Sequence, residues 1–309
     1  MEHNFKFGVS YAEQRPLTAP LPLCGDVCDA FRYAKDIGLD GIEIHGREYE
    51  FTDEQVERIK VCCGELGMKV AAVVTGRVYT QTGLSLADPV SERRTWVVDQ
   101  VKRYIDVAAS LKTDVVIGWV KGRFSLDNPQ SLYYRLLTES MKELDAYAGM
   151  KCVRLVVEVI NRYEVDCFIT ARETLDYIEG NGLEHTYLHL DTFHMNLEET
   201  DMYEAIRLAG PRLGYMHVAD NTRLAPGTGC LDFKKIFETL KEIGYEGFIT
   251  AECFPKPDGK AAAKAAAEYL KKIVSYPQGA KAAGQLAQEW RTLYKRRRAM
   301  MDELMKAGF

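Results

Sequence analysis

Apolar residues follow two alternating periods along this chain. Short, nearly continuous apolar runs, of the kind buried parallel strands require, are separated by longer stretches with apolar residues at three- and four-residue spacing. That spacing gives helices one buried stripe. The pattern predicts strands at residues 6–11, 41–45, 69–74 and 114–119, then four more that end at Glu158, Asp191, His217 and Glu252. Helices are predicted between and after them. Val27, Ala30, Phe31, Ala34 and Ile37 keep helical spacing up to a stop at Gly38, and residues 52–66 stop at Gly67. Asp88-Pro89 offers a cap and a first-turn proline for a helix running to about Leu111. Further helices fall at residues 130–147, 170–179, 203–209, 233–243 and 260–274.

Eight strands and eight helices in strict alternation describe a (β/α)8 barrel. An open doubly wound sheet also alternates, but it usually has fewer units and a glycine-rich turn after its first strand. Here the first strand leads into Gln14-Arg15-Pro16 instead. Ile37-Gly38-Leu39-Asp40-Gly41-Ile42 is echoed by Ile243-Gly244-Tyr245-Glu246-Gly247-Phe248, each reading as helix stop, tight turn and strand start. The expected organisation is a barrel over residues 1–278 with a C-terminal helical extension over 279–309. In that extension Leu286, Trp290, Leu293, Tyr294, Met301 and Leu304 form an apolar stripe broken by Lys295-Arg296-Arg297-Arg298. It reads either as a helix folded back on the barrel or as a homo-oligomer contact through Trp290 and Tyr294.

Composition narrows the function classes. A net charge of -5 argues against nucleic acid as a partner. No apolar run reaches the length of a membrane span, and Met1-Glu2-His3-Asn4-Phe5 lacks the basic start and apolar core of a signal peptide. The expectation is a cytoplasmic protein, with its eight cysteines as reduced thiols because none shows metal-finger spacing.

The chemistry gathers at the ends of the last four strands. Glu158, Asp191, His217 and Glu252 each close an apolar run, so a barrel would collect them at one rim, where active sites of this fold lie. Any one such carboxylate could cap a helix or pair with an arginine. Four on four consecutive strands resist that reading, because unpaired buried charge is expensive. Three oxygens and one nitrogen suit Mn2+, with Mg2+ or Co2+ as alternatives. Glu164, His194 and Arg223 follow on the adjoining loops, where a polyhydroxylated substrate would need donors and acceptors. Arg77, Lys121 and Arg123, after the third and fourth strands, would suit a substrate carboxylate or phosphate.

Asn161-Arg162-Tyr163-Glu164, Asp191-Thr192-Phe193-His194-Met195-Asn196 and His217-Val218-Ala219-Asp220, with Arg223 and Pro226-Gly227-Thr228-Gly229, resemble the tagatose 3-epimerase branch of the xylose-isomerase-like sugar isomerases and epimerases. Gly76-Arg77-Val78-Tyr79, Gly83-Leu84-Ser85-Leu86 and residues 117–123 look most like its keto-hexonate epimerases. The resemblance implies that Glu158, Asp191, His217 and Glu252 hold the metal. Glu158 and Glu252 would also serve as the acid/base pair, and Glu164, His194 and Arg223 would contact the substrate's oxygens. It implies a keto-sugar or keto-sugar acid as substrate, inverted through an enediolate. Epimerisation of a 3-keto glycoside at carbon four, inosose or aldose–ketose isomerisation, β-elimination, and a non-catalytic barrel are the competing readings.

Overall fold

The computed structural model describes residues 5–16, 18–47, 51–125 and 128–275. The expected extension at 279–309, with Trp290 and Tyr294, lies outside the described residues, as does the boundary at 278. Eight parallel strands close a barrel: β1 (Lys6–Ala12), β2 (Gly41–Ile44), β3 (Lys69–Val74), β4 (Asp114–Ile117), β5 (Leu155–Glu158), β6 (Thr186–Asp191), β7 (Leu213–Val218) and β8 (Phe248–Ala251). Each pairs with the next, and β1 pairs with β8, Phe7 opposite Ile249. A further two-residue strand, Leu23–Cys24, lies alongside β1.

The helices are α1 (Val27–Asp36), α2 (Asp53–Leu66), α3 (Gly76–Thr82), α4 (Ser91–Leu111), α5 (Gln130–Met150), α6 (Ala171–Gly180), α7 (Thr192–Glu198), α8 (Met202–Ala209), α9 (Phe233–Glu242) and α10 (Gly259–Ser275). The expected barrel is therefore present, but its alternation is not strict. Helices α3 and α7 are extra, each seven residues long and following a strand's carboxyl end. Helix α4 also starts later than expected. Asp88 does not cap it; its Oδ1 accepts from Val90 N at 2.9 Å, forming a turn that precedes the helix.

The repeated turn is the same device twice. Gly38 (φ 75°) and Gly244 (φ 68°) adopt the left-handed conformation, and the following N–H returns to the helix at 2.9 Å, Leu39 to Ala34 O and Tyr245 to Leu240 O. Between helices and strands, side chains such as Phe31, Ile105, Leu137, Leu240 and Leu270 are wholly buried. Each contributes about 1.5–3 kcal/mol by leaving water. Cysteine usage corrects the expectation of reduced thiols throughout: Cys28 on α1 and Cys62 on α2 form a disulfide, Cα atoms 5.8 Å apart. Their 34-residue separation shows nothing of this until the two helices pack side by side.

Candidate metal centre and active site

Strand register assembles the site. Asp191, the last residue of β6, lies opposite His217 of β7, and Glu158 ends β5 next door. Glu252 follows β8 by one residue. All four are buried, and one donor atom from each lies within 4.8 Å of the others. His217 Nδ1 stands 3.8 Å from Glu158 Oε1, 3.9 Å from Asp191 Oδ2 and 3.7 Å from Glu252 Oε2.

Two of these atoms lack any hydrogen-bond partner: Asp191 Oδ2 and His217 Nδ1. Asp191 spends Oδ1 on capping α7, accepting from Phe193 N at 2.8 Å, which leaves Oδ2 aimed at the cluster. Buried polar atoms are rarely left unpaired. An ion bound at about 2.1 Å spans donors up to about 4.2 Å apart, so the distances from His217 Nδ1 are within reach of one shared divalent cation. Electrostatics agree. Burial, together with the charges of Glu252 and Glu158, pushes Asp191 up to about 7 against the pull of Arg223 and His217. Burial would lower His217, but Glu43 and Glu252 hold it well above its ordinary value. The cluster has an excess of negative charge, and either a proton or a cation relieves it.

Above it lies a cavity of about 580 Å³, lined by Glu158, Glu164, His194, Arg223 and Glu252 together with Arg15, His45, Arg77, Trp119 and Phe254. Arg223 takes a left-handed backbone (φ 57°), donates to Glu252 Oε2 at 2.5 Å and lies 3.9 Å from Glu164. Asn161 Nδ2 lies 2.9 Å from Glu164 Oε1 and 2.7 Å from His194 Nδ1. His194 Nε2 lies 3.1 Å from Arg223 Nη1, which donates to it, and 3.8 and 3.7 Å from Glu158 and Asp191. Burial and the Arg223 charge hold that ring well below its usual range, so it is neutral. A comparable hollow at the opposite end, lined by Lys6, Lys69, Lys112 and Arg154, contains none of these residues.

Of the three basic residues expected at the mouth, only Arg77 lines the cavity, from the first turn of α3, with Nη1 donating to His45 O at 3.2 Å. Lys121 does not reach it. A short 3-10 turn, Trp119–Lys121, turns its side chain inward, and Nζ donates to the carbonyls of Gly118 (3.2 Å) and Glu158 (3.1 Å). Arg123 is half-exposed and pairs with Asp166 at 3.5 Å. Three residues escaped the sequence reading. Arg15 lines the cavity from the loop after β1, and Glu43 and His45 come from β2 and its end. The signal for the last two was present, since Gly41-Ile42-Glu43-Ile44-His45 is another apolar run closed by a histidine.

A closed parallel barrel with a buried carboxylate–histidine cluster at its carboxyl rim places that cluster where this fold carries its active sites. The sequence matches the xylose isomerase-like TIM-barrel family over residues 31–273, and the chain belongs to that family. It is 29% identical over 235 residues to the 3-dehydro-D-guloside 4-epimerase of Escherichia coli (strain K12), covering 74% of this chain and 87% of that one. It is 38% identical over 229 residues to the D-psicose 3-epimerase of Enterocloster bolteae, covering 72% and 75%. Among solved structures, 3-keto-D-glucoside 4-epimerase from E. coli superposes with a TM-score of 0.75 at 25% identity, over 87% of this chain and 99% of that one. Among the described residues, no helix is long and apolar enough to cross a membrane.

Proposed function

We propose that the protein is a divalent-metal-dependent epimerase of keto-sugars that works by moving a proton next to the carbonyl. The enzyme class is that of its relatives, a carbohydrate epimerase of the isomerase class. The observation that carries the mechanism is the pair Glu158 and Glu252, which approach His217 Nδ1 from β5 and β8, on either side of Asp191. Glu158, Asp191, His217 and Glu252 would hold the cation, Mn2+ in our reading. Bound there, it supplies Lewis-acid polarisation of a ketone oxygen, which makes the neighbouring C–H acidic. One glutamate takes that proton to give an enediolate, and the other returns a proton to the opposite face, inverting the carbon. Their roles exchange in the reverse direction. His194 and Arg223 contact the substrate's oxygens, and Glu164 accepts from a hydroxyl.

The substrate we favour is a keto-sugar acid, its carboxylate facing Arg77. Replacing Arg77 with Gln should raise KM for a keto-hexonate about tenfold, on the scale of a charged hydrogen bond, and leave KM for a neutral ketose in place. Equal KM values for both would rule out the carboxylate. A second reading, 4-epimerisation of a 3-keto glycoside, is favoured by the E. coli relative. Proton NMR in D2O with Mn2+ and a panel of neutral ketoses, keto-hexonates and 3-keto glycosides separates the two. Metal-dependent deuterium uptake with a new epimer is expected, and the exchanged carbon names the reaction. A panel showing no exchange with or without metal would count against epimerisation.

A further inference from the structure

A short buried hydrogen bond on a proposed metal ligand comes from another strand of the barrel, a long way off in sequence. His217 Nε2 lies 2.6 Å from Glu43 Oε2, and both residues are essentially inaccessible to solvent. A carboxylate accepts, so Nε2 carries a hydrogen, and Nδ1, which has no hydrogen-bond partner, faces Glu158, Asp191 and Glu252. Glu43 is itself fixed. Its Oε1 accepts from Ser10 Oγ at 2.8 Å and from His45 Nε2 at 2.7 Å, so neither oxygen is left to rotate. His45 lines the cavity, and its Nε2 lies 3.7 Å from Glu252 Oε1.

Resting on the metal-dependent reading above, we infer that Glu43 is a positioning residue that locks His217 in its Nε2–H form and thereby sets the affinity of the metal centre. It lies outside the proposed four-residue cluster and does not line the cavity, and it reaches that cluster through the ring it holds. An imidazole without this acceptor is free to shift its hydrogen to Nδ1, the atom that must ligate. Oriented acceptors on ligating histidines are typically worth about 10–100-fold in metal affinity.

The test measures binding, not turnover. Calorimetric titration of the metal-free full-length protein with Mn2+ would compare wild type, Glu43→Ala and Glu43→Gln. Glu43→Ala should weaken Mn2+ binding about 10–100-fold. Glu43→Gln, whose amide oxygen still accepts from Nε2, should recover most of that loss. Equal losses in Glu43→Ala and Glu43→Gln, or no loss in either, would overturn the role assigned to Glu43. A wild type that binds no Mn2+ would instead overturn the metal reading beneath it. Nitrogen–proton correlation spectra of the His217 ring in the wild-type Mg2+ complex give a check that needs no variant. A protonated Nε2 is expected, and a protonated Nδ1 would overturn the inference.

Discussion

Glu252 accepts from Arg223 on Oε2 at 2.5 Å and has His45 Nε2 3.7 Å from Oε1, whereas Glu158 Oε2 lies close to Gly118. At Gly118 a Cβ would come within 2.8 Å of Glu158 Oε2. Gly118→Ala should therefore push this carboxylate off the cluster and weaken Mn2+ binding on the order of tenfold, as disturbed ligand orientation does elsewhere. Unchanged affinity by calorimetry would show that Glu158 does not hold the metal. The two glutamates can also be separated by chemistry. Glu158→Gln and Glu252→Gln should each slow epimerisation by at least the 10²–10⁴-fold typical of a lost acid or base. If one glutamate faces each side of the reacting carbon, each variant should retain deuterium exchange from one epimer far better than from the other. Symmetric losses would argue against two opposed bases. Legibility at this scale was uneven. The four clustered residues Glu158, Asp191, His217 and Glu252 show in sequence because a charge closing an apolar run has few other uses. Lys121 misled because its position one turn past a strand does not reveal which way a 3-10 turn aims it.

Elements determine how loops hold those residues. Helix α7 begins on Asp191 and carries His194, and the loop after β5 carries Asn161 and Glu164; the two are clasped by Arg162 and Glu198. Arg162 Nε lies 3.0 and 2.9 Å from the two Glu198 oxygens, Nη2 lies 2.6 Å from Oε2, and Arg162 N donates at 2.7 Å. A bidentate pair of this kind is more specific than an ordinary surface ion pair. Burial would raise Glu198, but the bonds from Arg162 hold it below its ordinary value of 4.5. A depressed carboxylate stabilises the fold fully above about pH 4.5 and loses that contribution as pH falls through the folded-state value. Glu198→Gln should thus lower the urea midpoint at pH 7, and the gap to wild type should close as pH falls below 4.5 through the folded-state value. A gap that is the same at both ends would show the clasp is not ionic. Helix α7 itself was missed in the sequence, as was α3. Seven residues make only two turns, too few for a stripe to repeat, and α3 buries only Val78. The long helices and the paired Gly38 and Gly244 turns were readable because their periods repeat and their glycines occupy left-handed positions.

At the scale of the whole molecule, barrel closure turns sequence distance into proximity. Ser10 and Glu43 from β1 and β2 meet His217 from β7, because β1 pairs with both β2 and β8. No periodicity shows such a meeting, since it depends on register around the whole ring. That is why the contact between Glu43 and His217 could not be read in advance, although the apolar run that carries Glu43 and His45 was visible. Disulfide pairing between α1 and α2 was hidden for the same reason. The same closure makes metal binding a property of the global fold. Donors on β5, β6, β7 and β8 meet only when the barrel is intact, so the unfolded chain has no comparable site. A ligand that binds only the folded state stabilises it by RT ln(1 + [L]/Kd), about 2.7 kcal/mol at one hundred times Kd. For a domain of roughly this size that corresponds to a rise in Tm of about 5–10 °C. Scanning calorimetry of protein stripped by a chelator, then titrated with Mn2+, should show Tm climbing with the logarithm of metal concentration. Asp191→Asn keeps an oxygen to cap α7 but removes the charge from Oδ2, so its Tm should climb much less at the same Mn2+ concentrations. A variant that tracked wild type point for point would mean the stabilising ion sits somewhere other than among these four strands.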